Sequence, residues 1–297
     1  MKKVKYFISN IRFIVNHPLN QKFKIKAIFR YFKWIIVTKL NSYPLIYPFT
    51  DKAKLIIHNK IHASYGNLFG GLLEYQEMSF LLHFLRENDL FVDVGANVGS
   101  YTTLAAAHAG SETVSIEPAP STFEYLKDNI NVNRIYQKVE ALNIALGSQE
   151  GTISFTKNLG AMNRVAIDSD KEVISVPVFT LDKIMTGKRT PVLLKIDVEG
   201  FENEVLKGAS ETLKNEELKA IIIELNGLGN RYGYDQKIIH QNLINLGFIA
   251  YNYNPADREL IRLDSFGTVN TIYVRDIDFV NHRIKTAEKV KLPNNVI

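Results

Sequence analysis

Residues 91–99 read Phe91-Val-Asp-Val-Gly95-Ala-Asn97-Val-Gly99. A short apolar run closes on one glycine and a second follows four residues later, the pattern of a buried strand that turns sharply into a helix. This predicts a strand over 90–94 and a helix over 99–108. In open α/β sheets ligands sit beyond the carboxyl ends of the strands. Gly95 and Gly99 would let a ligand approach the backbone there, and Asn97 tolerates left-handed angles while offering an amide. Alone, such a turn is no more than a tight connection.

The segments around it repeat the theme. Strands are predicted over 113–116, 139–145, 192–196, 220–225, 248–252 and 268–274, from short apolar runs bounded by polar and glycine positions. Helical periodicity falls between them, over 121–132 with Ser121 as N-cap and Glu124 three residues on, over 201–207 ahead of Gly208, and over 236–246. Residues 151–156 and 173–179 alternate as a hairpin should. Strands alternating with helices imply an α/β fold with a doubly wound, mostly parallel sheet. The last two strands lack a helix between them and imply an antiparallel hairpin at one edge.

The 297 residues contain no cysteine, which excludes disulfide scaffolds, thiolate metal sites and thiol nucleophiles. Hydrophobic residues make up 46% and charged residues 23%, the balance of a globular chain. Residues 1–60 hold 13 Lys/Arg against the single acid Asp51, whereas the remainder holds 23 Lys/Arg against 30 Asp/Glu. The body is thus mildly acidic and unsuited to gripping nucleic acid. The chain divides into a basic amphipathic arm (1–50), a lead-in segment expected to fold over the ligand as a lid (51–89), and an α/β domain (90–297).

Glu117 lies at the end of the second strand, 22 residues after Gly95, where an acid can accept hydrogen bonds from both hydroxyls of a ribose. Turn and acid together point to an adenosine-type cofactor. The dinucleotide fingerprint wants glycine where Asn97 stands, and pyrophosphate gains nothing from Asp93 nearby. The sulfonium and ammonium of S-adenosylmethionine do, which favours methyl transfer over a nicotinamide-dependent oxidoreductase.

The chain resembles the FkbM family of S-adenosylmethionine-dependent methyltransferases. The resemblance is carried by FVDVGANVGSYTTLAA (91–106), SIEPAPSTFEYLKDNINVN (115–133), VFTLDKI (178–184), LLKIDVEGFENEVLKGA (193–209) and IIIELN (221–226). It spans about residues 75–275 and leaves the arm outside. It implies a seven-stranded class I methyltransferase sheet of Rossmann-like type with an antiparallel last strand. It assigns Asp93, Gly95, Asn97 and Gly99 to the first cofactor motif and Glu117 to the ribose, and places the adenine near Asn143. It also implies O-methylation, with a sugar of a glycan, glycolipid or secondary metabolite as acceptor.

On the fourth strand Lys195, Asp197 and Glu199 share a face by alternation and approach the carboxyl edge. Asp197 or Glu199 is placed to take the acceptor's proton, and Lys195 to pair with either or to steady the acceptor oxygen; a structural ion pair is the competing reading. Glu224 ends the fifth strand and is the other acid within reach. Glu74, near Tyr75 and Glu77, is a candidate for the methionine amino group or the acceptor. No cluster of acids or histidines marks a metal site, although a divalent ion such as magnesium remains compatible with the carboxylates. His58 and His62 are candidate lining residues, and the acceptor loops are expected at 60–75, 157–170 and 226–235, with Asn163 and Arg164 among them.

Two readings stand for the arm. Apolar residues at helical spacing run from Val4 to Val15 and from Ile25 to Ile36, through Ile28, Phe32 and Ile35, with Lys22, Lys26, Arg30 and Lys33 opposite the second stripe. The stripe packs on the domain or on a second subunit, or it lies on an anionic membrane surface. Pro44 and Pro48 predict an irregular linker. No apolar stretch is long enough to span a bilayer and no cleavable leader is evident, so a cytoplasmic chain is expected, with peripheral contact at the inner membrane surface as the variant. A non-catalytic scaffold that retains the fold is the remaining rival.

Overall fold

The structure, a computed structural model, describes residues 2–40, 44–58, 62–157 and 160–297. In chain order the helices are α1 (Lys2–Asn16), α2 (Lys24–Leu40), α3 (His62–Gly70), α4 (Tyr75–Phe84), α5 (Ser100–Thr103), α6 (Pro120–Asn133), α7 (Leu181–Ile184), α8 (Glu202–Lys207), α9 (Ser210–Lys214), α10 (Gln236–Asn245) and α11 (Ile277–Thr286). Among the described residues the strands are β1 (Leu45–Pro48), β2 (Lys54–Ile57), β3 (Leu90–Val94), β4 (Glu112–Ile116), β5 (Val139–Leu142), β6 (Ala145–Leu146), β7 (Gly151–Thr156), β8 (Val173–Phe179), β9 (Leu193–Ile196), β10 (Ala220–Glu224), β11 (Ile249–Asn254), β12 (Glu259–Arg262), β13 (Asn270–Val274), β14 (Lys291–Leu292) and β15 (Asn295–Val296).

The central sheet has the order β12-β11-β13-β10-β9-β3-β4-β5. Strands β5, β4, β3, β9 and β10 run parallel, and β13 inserts antiparallel between β10 and β11. The expected doubly wound α/β sheet is present, with two corrections. It has eight strands, because the chain turns after β11, with Arg258 in the left-handed region at φ 52°, and returns as β12. The side chains of β12 are largely exposed, so no hydrophobic alternation announced it. The antiparallel edge hairpin is therefore β11–β12, while the fully buried β13 lies inside the sheet.

Burial on both faces makes β3 a continuous apolar run broken only by Asp93. Phe91 faces a core shared with Leu193, Ile222, Phe80 and Phe84. Val92 and Val94 face the opposite core with Leu194, Ile196, Ile221 and Val205. Beyond Leu142 the predicted third strand breaks, and β6 leaves the main sheet to pair with β8 in a small sheet of order β6-β8-β7. The β7–β8 hairpin falls where alternation put it. The helix after Gly99 is α-helical for one turn and then widens into a π-helix over Leu104–Ala109, ending at Gly110 with φ 79°. Helix α6 starts on Pro120 with Ala119 at the N-cap and no side-chain cap, so Ser121 is already inside it, because proline needs no N–H partner in the first turn.

The arm joins the body. Ile14, Ala27, Tyr31 and Trp34 are buried in the same core as Phe80 and Phe84. The elbow between α1 and α2 is tied down by Asn20, whose amide donates to Ile14 O (3.0 Å) and Phe69 O (2.8 Å), and by His17 Nε2 against Leu72 O (2.8 Å). The stretch expected as an irregular linker forms the antiparallel β1–β2 hairpin. The buried side of α2 is Ala27, Tyr31 and Trp34, not the stripe through Ile25, Phe32 and Ile36, because the two large rings pack edge-on against Phe69. Arg30 turns inward as well, donating to Asn20 Oδ1 and Phe69 O at 2.9 Å each.

Candidate active site

The ends of β3, β4, β9 and β10 open into a cavity of about 530 Å³, within the range of small-molecule sites. Val94, Ile116, Leu146 and Val198 form its apolar floor, while Glu74, Glu117, Asp197, Glu199 and Glu224 put five carboxyl groups on its wall. Tyr65 and Leu73 close one side, and Phe155, Met162 and Val165 of the small-sheet region close another. Among the described residues of the lead-in segment, only Tyr65 and Leu73–Glu74 reach the cavity; α4 is a core helix whose Met78–Phe84 are all buried.

The turn after β3 is set by contact with β9. Gly95 sits at φ 78°, and a Cβ there would lie 1.8 Å from the carbonyl oxygen of Asp197. Asp197 N–H in turn donates to Val94 O at 3.0 Å. At Gly99, φ 84°, a Cβ would meet Leu126 Cδ1 at 2.6 Å. The space both glycines leave is thus filled by the protein itself. Gly95 also borders the cavity and Gly99 does not. Asn97, at φ 53°, caps Val98 N–H with its side chain and turns its own N–H to Glu117 Oε2 at 3.0 Å.

Glu117 is buried at the cavity edge, its second oxygen accepting from Ala119 N–H at 2.8 Å. Burial pushes its carboxyl up to about 7, although the two backbone donors favour the charged form. Asn143 lies behind this residue: its amide donates to the carbonyls of Glu117 (2.8 Å) and Pro118 (3.0 Å), fixing the loop instead of bordering the cavity. Asp93 is likewise off the wall, because it points to Thr102 of α5, whose N–H and hydroxyl reach Oδ2 at 3.1 and 2.8 Å.

Lys195 is almost wholly buried, with Nζ 3.0 Å from Asp197 Oδ2 and 4.7 Å from the centre of the Tyr101 ring. Burial alone would lower its pKa, but Asp197, Asp93 and Glu74 together hold it above the ordinary lysine value. It is a fixed cation behind Asp197, not a wall residue. Glu74 accepts from Tyr101 Oη (2.5 Å) and Asn270 Nδ2 (3.1 Å), partners that the sequence reading missed. Glu199 occupies the left-handed region at φ 56°, ahead of Gly200, and burial followed by repulsion from Asp197 raises it to about 7. Glu224 rises to about 9 through burial and the neighbouring acids, and its buried Oε2 has no hydrogen-bond partner among the described residues.

Asn163 borders the cavity, whereas Arg164 is engaged by Asp170 through two guanidinium contacts, at 2.5 and 3.0 Å. His58 lies against Tyr125, 4.2 Å between ring centres, away from the wall. The side chain of His62 and residues 60–61 and 158–159 of the expected acceptor loops lie outside the described residues. Among the described residues no group of three or more His, Asp or Glu is arranged to hold a metal ion.

The raised carboxyls make stability depend on pH. Glu117, Glu199 and Glu224 hold protons in the folded chain that the unfolded chain releases at ordinary carboxylate values. Their contribution is therefore full at acid pH and is lost as pH rises through about 7 and then about 9. The ligand-free chain is expected to show a thermal midpoint that falls from mildly acidic to mildly alkaline pH. A midpoint flat or rising across that interval in differential scanning calorimetry would contradict this electrostatic picture.

A family model for the methyltransferase FkbM domain matches residues 93–250, which carry the whole parallel part of the sheet beyond the first residues of β3. The hexuronic acid methyltransferase AglP of Haloferax volcanii is 30% identical over 155 residues, 52% of this chain and 62% of that protein. Methyltransferase sdnD of Sordaria araneosa is 26% identical over 162 residues, 43% of this chain and 62% of that protein. The chain thus spans about three fifths of the length of the curated relatives it matches. A crystal structure of an FkbM methyltransferase from Methylobacillus flagellatus KT aligns with 71% of this chain and 53% of its own, at 16% identity and a TM-score of 0.45. With its glycine turn, its acid at the end of β4 and more than half its length within the family match, the chain belongs to the FkbM methyltransferase family.

Proposed function

We propose that this chain transfers a methyl group from S-adenosylmethionine to a hydroxyl oxygen of a sugar. The observation that carries the reading is the wall of five carboxyl groups over an apolar floor, with Glu117 fixed by Asn97 N–H and Ala119 N–H at the end of β4. Such a wall fits a ligand that brings its own positive charge. Glu224, whose buried Oε2 has no hydrogen-bond partner among the described residues, is left to face the acceptor. Glu117 is assigned to the ribose hydroxyls, Glu74 and Asp197 to the cationic end, and the apolar side chains at Val94, Ile116 and Leu146 to the adenosine.

The bound cofactor would supply an activated methyl group. The chain's own task is then to hold the acceptor oxygen in line and remove its proton. Glu199 suits the second duty, since a base works best with a pKa near the operating pH. Lys195 commits the charge of Asp197 to a fixed direction. Glu224, protonated at neutral pH, can donate a hydrogen bond to an acceptor oxygen. A carbohydrate acceptor is favoured by the polar rim at Asn163 and by the hexuronic acid named for the relative in Haloferax volcanii.

Calorimetric titration of S-adenosylmethionine and S-adenosylhomocysteine into the wild type and Glu117→Ala tests the cofactor assignment. Wild-type binding should weaken at least tenfold in the variant, about 1.4 kcal/mol. Failure of the folded wild type to bind either ligand would remove the proposal.

A further inference from the structure

Helix α2 has two apolar faces, and the body uses one of them. Ala27, Tyr31 and Trp34 turn inward. On the opposite side Ile25, Phe29, Phe32, Ile36 and Leu40 follow one another at spacings of three and four residues and form one continuous stripe. Ile25 is 72%, Phe29 70% and Leu40 82% exposed, values at which each side chain stands free of the protein surface. Phe7 of α1 extends the patch, its ring 6.2 Å from that of Phe32.

The charges around the stripe are of one sign. Lys26 and Lys33 border it on one flank and Lys39 on the other, with Lys22 and Lys24 at the start of the helix, and all five are exposed. No acidic residue occurs before Asp51. We infer that the outward face of α2 docks the chain on an anionic lipid surface, the helix lying in the headgroup plane with its apolar stripe below and its lysines among the phosphates. The inference stands apart from the chemistry of the cavity.

Charge complementarity selects this occupant. A second copy of the same face would bring lysines against lysines with no acid within the arm to compensate. Nucleic acid would satisfy the lysines and leave five large apolar side chains in water. An anionic bilayer satisfies both at once. The helix is not a spanning segment: among the described residues none is long and apolar enough to cross a membrane. The inner face of the arm is core, so truncating the arm would uncover Tyr65 and Phe69, on which Tyr31 and Trp34 pack, and damage the fold. Surface substitutions are the proper test.

Flotation of the full chain with phosphatidylcholine vesicles, with and without phosphatidylglycerol, reads the inference directly. The wild type should float with the phosphatidylglycerol vesicles, remain unbound with the neutral ones, and be released by high salt. The triple variant Ile25→Ser, Phe29→Ser, Ile36→Ser should lose at least about tenfold in partitioning. The double variant Lys26→Glu, Lys33→Glu should lose a similar factor. Because it alters exposed lysines only, it serves where the triple variant folds poorly; circular dichroism of both establishes the fold. Three results would overturn the inference: a wild type that does not float with anionic vesicles, flotation indifferent to both variants, or a dimer of the wild type that the triple variant dissociates.

Discussion

Replacement of Glu199 by Gln is expected to lower kcat about 100- to 10,000-fold, the range contributed by a positioned general base. Binding of S-adenosylmethionine should change little. The expectation rests on three features of one residue. Glu199 lies on the cavity wall, its pKa is raised to about 7 by burial and by Asp197, and its backbone is held in the left-handed region. A non-glycine residue in that conformation costs about 1 to 3 kcal/mol and persists where the surroundings impose it. Here the turn is imposed by Gly200, which abuts the backbone of Leu228, and by Glu202 Oε1, which accepts from the N–H groups of Val198 (3.2 Å) and Gly200 (3.0 Å).

The same prediction separates Glu199 from Asp197. Asp197 is bound to the buried cation of Lys195, so Asp197→Asn should weaken cofactor binding as well as turnover, leaving Lys195 without its partner. In the wild type kcat should rise with pH through about 7, and in Glu199→Gln that rise should vanish. A Glu199→Gln enzyme with normal kcat and an unchanged pH profile would transfer the role of base to another group, with Asp197 next in line.

Much of this site was legible in the sequence because it is built from strand ends. Leu90–Val94 was bounded correctly by an apolar run that closes on a glycine, and Glu117 was found because its distance from that glycine is fixed by one helix and one strand. Reasoning by alternation went astray at Lys195, Asp197 and Glu199. The strand β9 ends at Ile196, and beyond it the left-handed turn at Glu199 abolishes the two-residue period, so Asp197 and Glu199 reach the cavity while Lys195 stays behind. The partners of Glu74 were out of reach for another reason. Asn270 comes from β13, 196 residues away in the chain, and only the insertion of that strand next to β10 brings it near. The exposed stripe of α2 misled in the opposite sense. A helix with apolar residues on both sides does not state which side is buried, and the larger aromatic rings decided it.

Gly95→Ala is expected to be the most destabilising single methyl addition in the molecule, about 4 kcal/mol or more, a loss reserved for changes that the surrounding structure cannot absorb. Two terms act together. The residue sits at φ 78°, where any side chain is strained, and its Cβ would overlap a backbone carbonyl 1.8 Å away. That carbonyl belongs to Asp197, whose N–H is bonded to Val94 O, so it cannot retreat without opening the β3–β9 pair. Gly99→Ala provides the comparison. Its φ is similar at 84°, but the atom it meets is Leu126 Cδ1, the tip of a side chain that can rotate aside. Urea unfolding should therefore rank wild type above Gly99→Ala and Gly99→Ala well above Gly95→Ala. Equal losses would mean that backbone angle alone governs both positions. The predicted gap means that Gly95 serves first to let two strand ends touch: the contact that fixes Asp197 is the one that shapes the cavity floor.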